Sequence, residues 1–151
     1  MLSKNPDGIL ASDPPGNPVL EKSTRRSGRA CVLIVDDSPT ALGVLQAVFE
    51  GEHYDVVTAS DGMEGFEKAQ RIEPDVLVTD GIMPGVDGFE LLRMLKENPA
   101  TRRIPVIMLT SGDIRDAEFQ NRQPQPDAYV AKSMQMEPLL NRVKDMLATS
   151  L

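Results

Sequence analysis

From residue 31 onward, short β-branched apolar runs alternate with longer segments in which apolar residues recur at three- and four-residue intervals. CVLIV, Cys31 to Val35, is apolar at every position, which predicts a strand covered on both faces. SPTALGVLQAVFE then sets Leu42, Leu45, Val48 and Phe49 along one helical face, with Ser38 as cap and Pro39 at the first helical position. The pattern recurs in DVVTA with a helix Gly62 to Ile72, in DVLVT with a helix Phe89 to Asn98, and in PVIML with a segment from Ile114. AYVA and a helix from about Met136 to Thr149 complete it. These five strand-helix units predict an α/β fold with a parallel sheet, helices on both faces and right-handed crossovers. In such sheets ligands bind at the carboxyl ends of the strands.

Residues 1–29 break this rhythm. Pro6, Pro14, Pro15 and Pro18 with Gly8, Gly16 and Gly28 fit no helical or strand period, which predicts a disordered tail ahead of one folded domain, residues 30–150. The 151-residue length and 40% hydrophobic content suffice for one core. The net charge is -7; the tail holds five basic and three acidic residues, so the folded part carries -9. That acidity argues against DNA and anionic membrane surfaces and favours cationic partners or metal ions. STRRSGR, Ser23 to Arg29, reads as a solvated linker. Cys31 is the only cysteine, which excludes an internal disulfide and a cysteine-histidine zinc site and fits a cytoplasmic location. No run approaches the roughly 20 apolar residues of a membrane span, and no signal peptide opens the chain.

The residues that end the strands carry the chemistry. Asp36 and Asp37 follow the first, Asp80 ends the third, Thr110 and Ser111 the fourth, and Lys132 follows the fifth. Each alone could be a helix cap; on one rim they bring together three carboxylates, two hydroxyls and an ammonium. Carboxylates about 5 Å apart repel by roughly 3 kcal/mol at an effective dielectric near 20, so the set calls for a cation. All the ligands are hard oxygens, as Mg²⁺ prefers. Mg²⁺ beside a carboxylate suggests phosphoryl transfer, with Asp80 as nucleophile, Asp36 and Asp37 as metal-binding pair, Lys132 neutralising charge and Thr110 donating a hydrogen bond.

VDDS (Val35 to Ser38), TDGIMPGVDG (Thr79 to Gly88), MLTS (Met108 to Ser111) and YVAK (Tyr129 to Lys132) stand in an order and spacing that resembles the receiver domain of two-component response regulators. The resemblance covers about residues 30 to 150. It implies a flavodoxin-like sheet of order 2-1-3-4-5 and phosphorylation of Asp80 by a histidine kinase or histidine phosphotransfer protein. It further implies Mg²⁺ on Asp37, Asp80 and the Ile82 backbone carbonyl with Asp36 assisting, Thr110 and Tyr129 as a switch pair, and Lys132 on a phosphoryl oxygen. Tyr129 otherwise reads as edge-strand packing, Met83 as a loop anchor and His53 as a surface residue. No output domain is expected after the last helix, so the expected action is on a downstream protein partner or as an intermediate in a phosphorelay, with neither direct DNA binding nor membrane insertion.

Three positions depart from the family pattern. Ser133 stands where a cis proline is usual; since a cis non-proline bond costs roughly 3–4 kcal/mol, a trans Lys132–Ser133 bond and a displaced lysine are expected. Pro124 and Pro126 in NRQPQPD predict a short or mobile fourth helix that ends by about Arg122. Gly81 frees the backbone after the phosphoacceptor, while Ile82 shields the acyl phosphate, so slow self-dephosphorylation is expected. Two other readings compete. A phosphorylation-independent pseudo-receiver would keep the fold alone; a Mg²⁺-dependent aspartyl phosphatase would need an aspartate where Ile82 stands. No glycine-rich phosphate loop follows the first strand, which disfavours nucleotide binding.

Overall fold

The computed structural model describes residues 28–112 and 121–149. Five parallel strands form one sheet: β1 Cys31–Val35, β2 Asp55–Ala59, β3 Val76–Asp80, β4 Val106–Thr110 and β5 Ala128–Ala131, in spatial order β2-β1-β3-β4-β5. Four helices are described, α1 Pro39–Gly51, α2 Gly62–Ile72, α3 Gly88–Glu97 and α4 Glu137–Thr149. The expected α/β architecture and strand order are therefore present.

The uninterrupted apolar runs reflect cover on both faces. Side chains alternate across a strand, so Leu33, Val35, Leu77 and Met108 pack under α2 and α3 with Ala69, Ile72, Leu91, Leu92 and Leu95. Val32, Ile34, Val78, Ile107 and Leu109 face the other way, against Leu45 and Phe49 of α1 and Leu139 and Val143 of α4. Burial of each large side chain contributes about 1.5–3 kcal/mol. The two apolar layers therefore hold the sheet rigid beneath the loops at its carboxyl rim.

Boundaries moved by one residue at the centre of the sheet. β3 begins at Val76 instead of Asp75, whose carboxylate accepts the Cys31 amide at 2.7 Å. It extends through Asp80, which pairs with Leu109. α3 begins at Gly88 because Asp87 caps it, accepting the Glu90 amide at 2.9 Å. Met83 is buried in the core and His53 is exposed, as expected. The expected tail falls outside the described residues except for Gly28 and Arg29, and so does most of the segment from Ile114. Residues 121–127 contain no helix, consistent with a stop before the prolines.

Candidate functional site

Asp36 directly follows β1, Asp80 ends β3, Thr110 ends β4 and Lys132 directly follows β5. These strands lie side by side and run parallel, so all four residues share one rim. Among the described residues Ser38, Asp61 and Asp87 cap α1, α2 and α3, and none of the four does so. Instead, three of them accept the amide two residues on. Ser38 N donates to Asp36 Oδ1 at 2.9 Å, Ile82 N to Asp80 Oδ1 at 3.3 Å and Gly112 N to Thr110 Oγ1 at 3.0 Å. Each bond fixes a side chain from its own backbone. The second oxygen of both aspartates is left for the site.

Lys132 meets those oxygens. Its Nζ donates to Asp80 Oδ2 at 3.1 Å and lies 3.6 Å from Asp36 Oδ2, an ion pair too long for a hydrogen bond. Burial works against the lysine's charge, but the Asp80 hydrogen bond and the Asp36 carboxylate outweigh it and raise its pKa. Carboxylate oxygens of Asp36, Asp37 and Asp80 lie within 4.8 Å of one another. Asp36 is 1% exposed, and its Oδ2 has no hydrogen-bond partner. A buried, under-satisfied carboxylate oxygen among two others fits a hard divalent cation.

Lys132 reaches Asp80 although Ser133 stands where proline is usual. The Lys132–Ser133 bond is trans, as expected. Lys132 N donates to Thr110 O at 2.8 Å, which anchors the strand end, and Ser133 Oγ accepts the Gln135 amide at 2.9 Å. A serine-built turn thus follows the lysine.

Thr110 is buried, Ser111 exposed and Tyr129 half-buried. Met108 pairs with Tyr129 and Thr110 with Ala131, so by strand alternation Thr110 and Tyr129 share a sheet face. The Tyr129 phenol is hydrogen-bonded to the Gln125 side chain; burial raises its pKa while Arg122 and Gln125 pull it down. Ile82 is 70% exposed at the mouth of the site. The intervening loop is shaped by Gly85, at φ +73°, and by Gly88, where a Cβ would lie 2.2 Å from the Asp80 carbonyl oxygen. Only glycine lets α3 start directly on the backbone of Asp80.

The response regulator receiver domain family matches residues 32–144. The chain belongs to this family. Protein PilH of Pseudomonas aeruginosa is 35% identical over 119 residues, which cover 79% of this chain and 98% of that protein. Response regulator PleD of Caulobacter vibrioides is 36% identical over 117 residues, but this chain spans only 26% of its length. Among solved structures, the Vibrio cholerae chemotaxis protein CheY4 superposes with a TM-score of 0.73 at 28% identity, covering 80% of this chain and all of that one. A Francisella response regulator receiver domain gives 0.74 at 27% identity. Receiver domains are signalling domains, not conventional enzymes, and they work with histidine kinases or phosphotransfer proteins. Among the described residues no helix is long and apolar enough to cross a membrane.

Sequence reasoning placed the rim residues but missed Arg122 and Gln125 beside Tyr129. That contact joins a loop to a strand, and no local pattern encodes it.

Proposed function

We propose that this chain is a phosphoacceptor switch: Asp80 takes a phosphoryl group from a phosphohistidine on a kinase or phosphotransfer protein. The observation that carries the reading is Lys132 bonded to Asp80 beside the Asp36–Asp37 carboxylates. An Asp80 oxygen forms the new O–P bond, the P–N bond breaks, and the imidazole leaves with its electron pair. Asp36, Asp37, Asp80 and the Ile82 carbonyl would hold Mg²⁺. When bound, the ion supplies positive charge against the transferring group. Lys132 moves its ammonium from Asp80 to a phosphoryl oxygen. Thr110 donates its hydroxyl to another, and Tyr129 turns inward after it to carry the change to a downstream protein.

An apolar groove beside Lys132, lined by Val44, Leu45, Ala131, Met134, Met136 and Leu139, supports a protein as donor. Val44 and Met134 are 47% and 96% exposed, a surface that gains from being covered.

The test is incubation with Mg²⁺ and acetyl phosphate, or with beryllofluoride, for the wild type and Asp80→Asn. One added phosphoryl group that needs both Mg²⁺ and Asp80, with amide shifts reaching Thr110 and Tyr129, supports the switch. A folded protein with neither adduct nor shift would make it a phosphorylation-independent binding module.

A further inference from the structure

The segment that leads into β5 touches both the phosphoacceptor loop and Tyr129. The Arg122 guanidinium lies over the Phe89 ring, 4.1 Å from its centroid, well inside the range of a cation–π contact. Phe89, the second residue of α3, is 7% exposed; its Cε2 is 3.4 Å from where a Cβ on Gly81 would stand, so the ring backs the residue next to Asp80. Gln125 Nε2 donates to the Arg122 carbonyl at 2.6 Å, and the same side chain is hydrogen-bonded to the Tyr129 phenol. The far end of the segment is pinned as well. Asp127 N donates to Val106 O at 2.9 Å, and its Oδ2 accepts the Val106 amide at 2.8 Å.

We infer that Arg122 and Gln125 form a clasp that holds Tyr129 in its half-buried resting position and ties it, through Phe89, to the backbone beside Asp80. This rests on reading Tyr129 as the switch residue. The geometry supports a clasp over plain packing because one amide side chain serves both the segment's backbone and the tyrosine. Turning Tyr129 toward Thr110 removes the phenol from Gln125, which loosens the turn that orients Arg122. Conversely, a shift of Gly81 moves the ring on which Arg122 rests. The segment NRQPQPD ahead of β5 thus gives a direct contact path from phosphoacceptor to switch. Arg122 and Gln125 are positioning residues on it, acting through Phe89 and Tyr129.

The chain has no tryptophan and two tyrosines, so in a Tyr54→Phe background tyrosine emission reports Tyr129 alone. Acrylamide quenching is measured on the full, unphosphorylated chain without Mg²⁺, with circular dichroism as the fold control. Arg122→Ala and Gln125→Ala should each lower the quenching constant by about twofold as the population shifts from the half-buried resting position toward the inward-turned tyrosine, and the double variant by no more than the larger single effect. Arg122→Lys, which keeps the charge but not the planar stack, should resemble Arg122→Ala. Quenching constants equal to the parent's in both single variants, or additive effects in the double, overturn the clasp. A beryllofluoride titration follows: clasp variants should reach half-response at about threefold lower concentration, since a first constraint is already removed. If the parent itself shows no beryllofluoride response, the phosphoacceptor reading fails, and quenching still decides the clasp.

Discussion

Lys132 Nζ donates to Asp80 Oδ2 across 3.1 Å, so the lysine already holds the carboxylate proposed as nucleophile. Lys132→Met should lower phosphoryl incorporation from acetyl phosphate at least about tenfold, because charge stabilisation of this kind is worth a few kcal/mol. The ion pair also has a pH signature. Burial disfavours the charge but Asp80 and Asp36 more than compensate, so the folded-state pKa lies above the usual 10.5. Stability from the pair is therefore fully present below 10.5 and lost as pH rises beyond it. Denaturant midpoints should fall more steeply above that pH in the wild type than in Lys132→Met; parallel profiles would remove the pair from the stability balance.

Asp36 carries a cost that a cation would relieve. At an effective dielectric near 20, its repulsions from Asp37 and Asp80 come to about 3 kcal/mol each, against an attraction to Lys132 of about 4–5. Solvent at the half-open lysine weakens the attraction further. Asp36→Asn should therefore stabilise the Mg²⁺-free protein by about 1–2 kcal/mol, a rise of several degrees in Tm. The same variant should lose most of the stabilisation that saturating Mg²⁺ gives the wild type, about 2.7 kcal/mol at a hundredfold excess over Kd. Thermal scans with and without Mg²⁺ measure both; a lower apo Tm in the variant contradicts the repulsion argument.

The fold and the rim were legible because each rested on a short-range regularity. CVLIV and VLVT are apolar or small at every position since both faces are covered, and Asp36, Asp80 and Thr110 stand at strand ends that a parallel sheet must bring together. How the lysine is held was not legible: no local pattern announces the bond to the Thr110 carbonyl or the hydroxyl-built turn at Ser133 that flank Lys132. The starts of β3, β4 and α3 each moved by one residue, because capping by Asp87 and the side-chain bonds of Asp75 and Asp127 compete with the apolar pattern.

Gly88 and Gly43 should respond oppositely to alanine. A Cβ on Gly88 would fall 2.2 Å from the Asp80 carbonyl oxygen and 2.9 Å from Gly81 Cα, both backbone, so α3 must retreat from Asp80. Gly88→Ala should cost about 3 kcal/mol and reduce phosphorylation even where the protein stays folded. Gly43 lies on the outer side of α1 with nothing within 4 Å of its added Cβ. Gly43→Ala should stabilise by about 1 kcal/mol through helix propensity and leave phosphorylation unchanged. Urea midpoints separate the two, and equal destabilisation would reject the close-approach account.

On the proposed reading, Ile82 is expected to set how long the phosphorylated state lasts. Its amide donates to Asp80 Oδ1 at 3.3 Å while its side chain is 70% exposed, placing an apolar group at the mouth of the site without a packing role. Water that hydrolyses an acyl phosphate must approach past it. An asparagine there can hold that water by hydrogen bonding, as isoleucine cannot. Ile82→Asn should therefore speed loss of the phosphoryl group by about five- to tenfold, within the range of a positioned polar group in water activation. Its stability should stay within about 0.5 kcal/mol of the wild type, since the site is on the surface. Intact mass followed over time after removal of acetyl phosphate gives the rate. An unchanged decay would mean that Ile82 does not shield, and the access of water would then have to be set by Lys132 and the buried carboxylates alone.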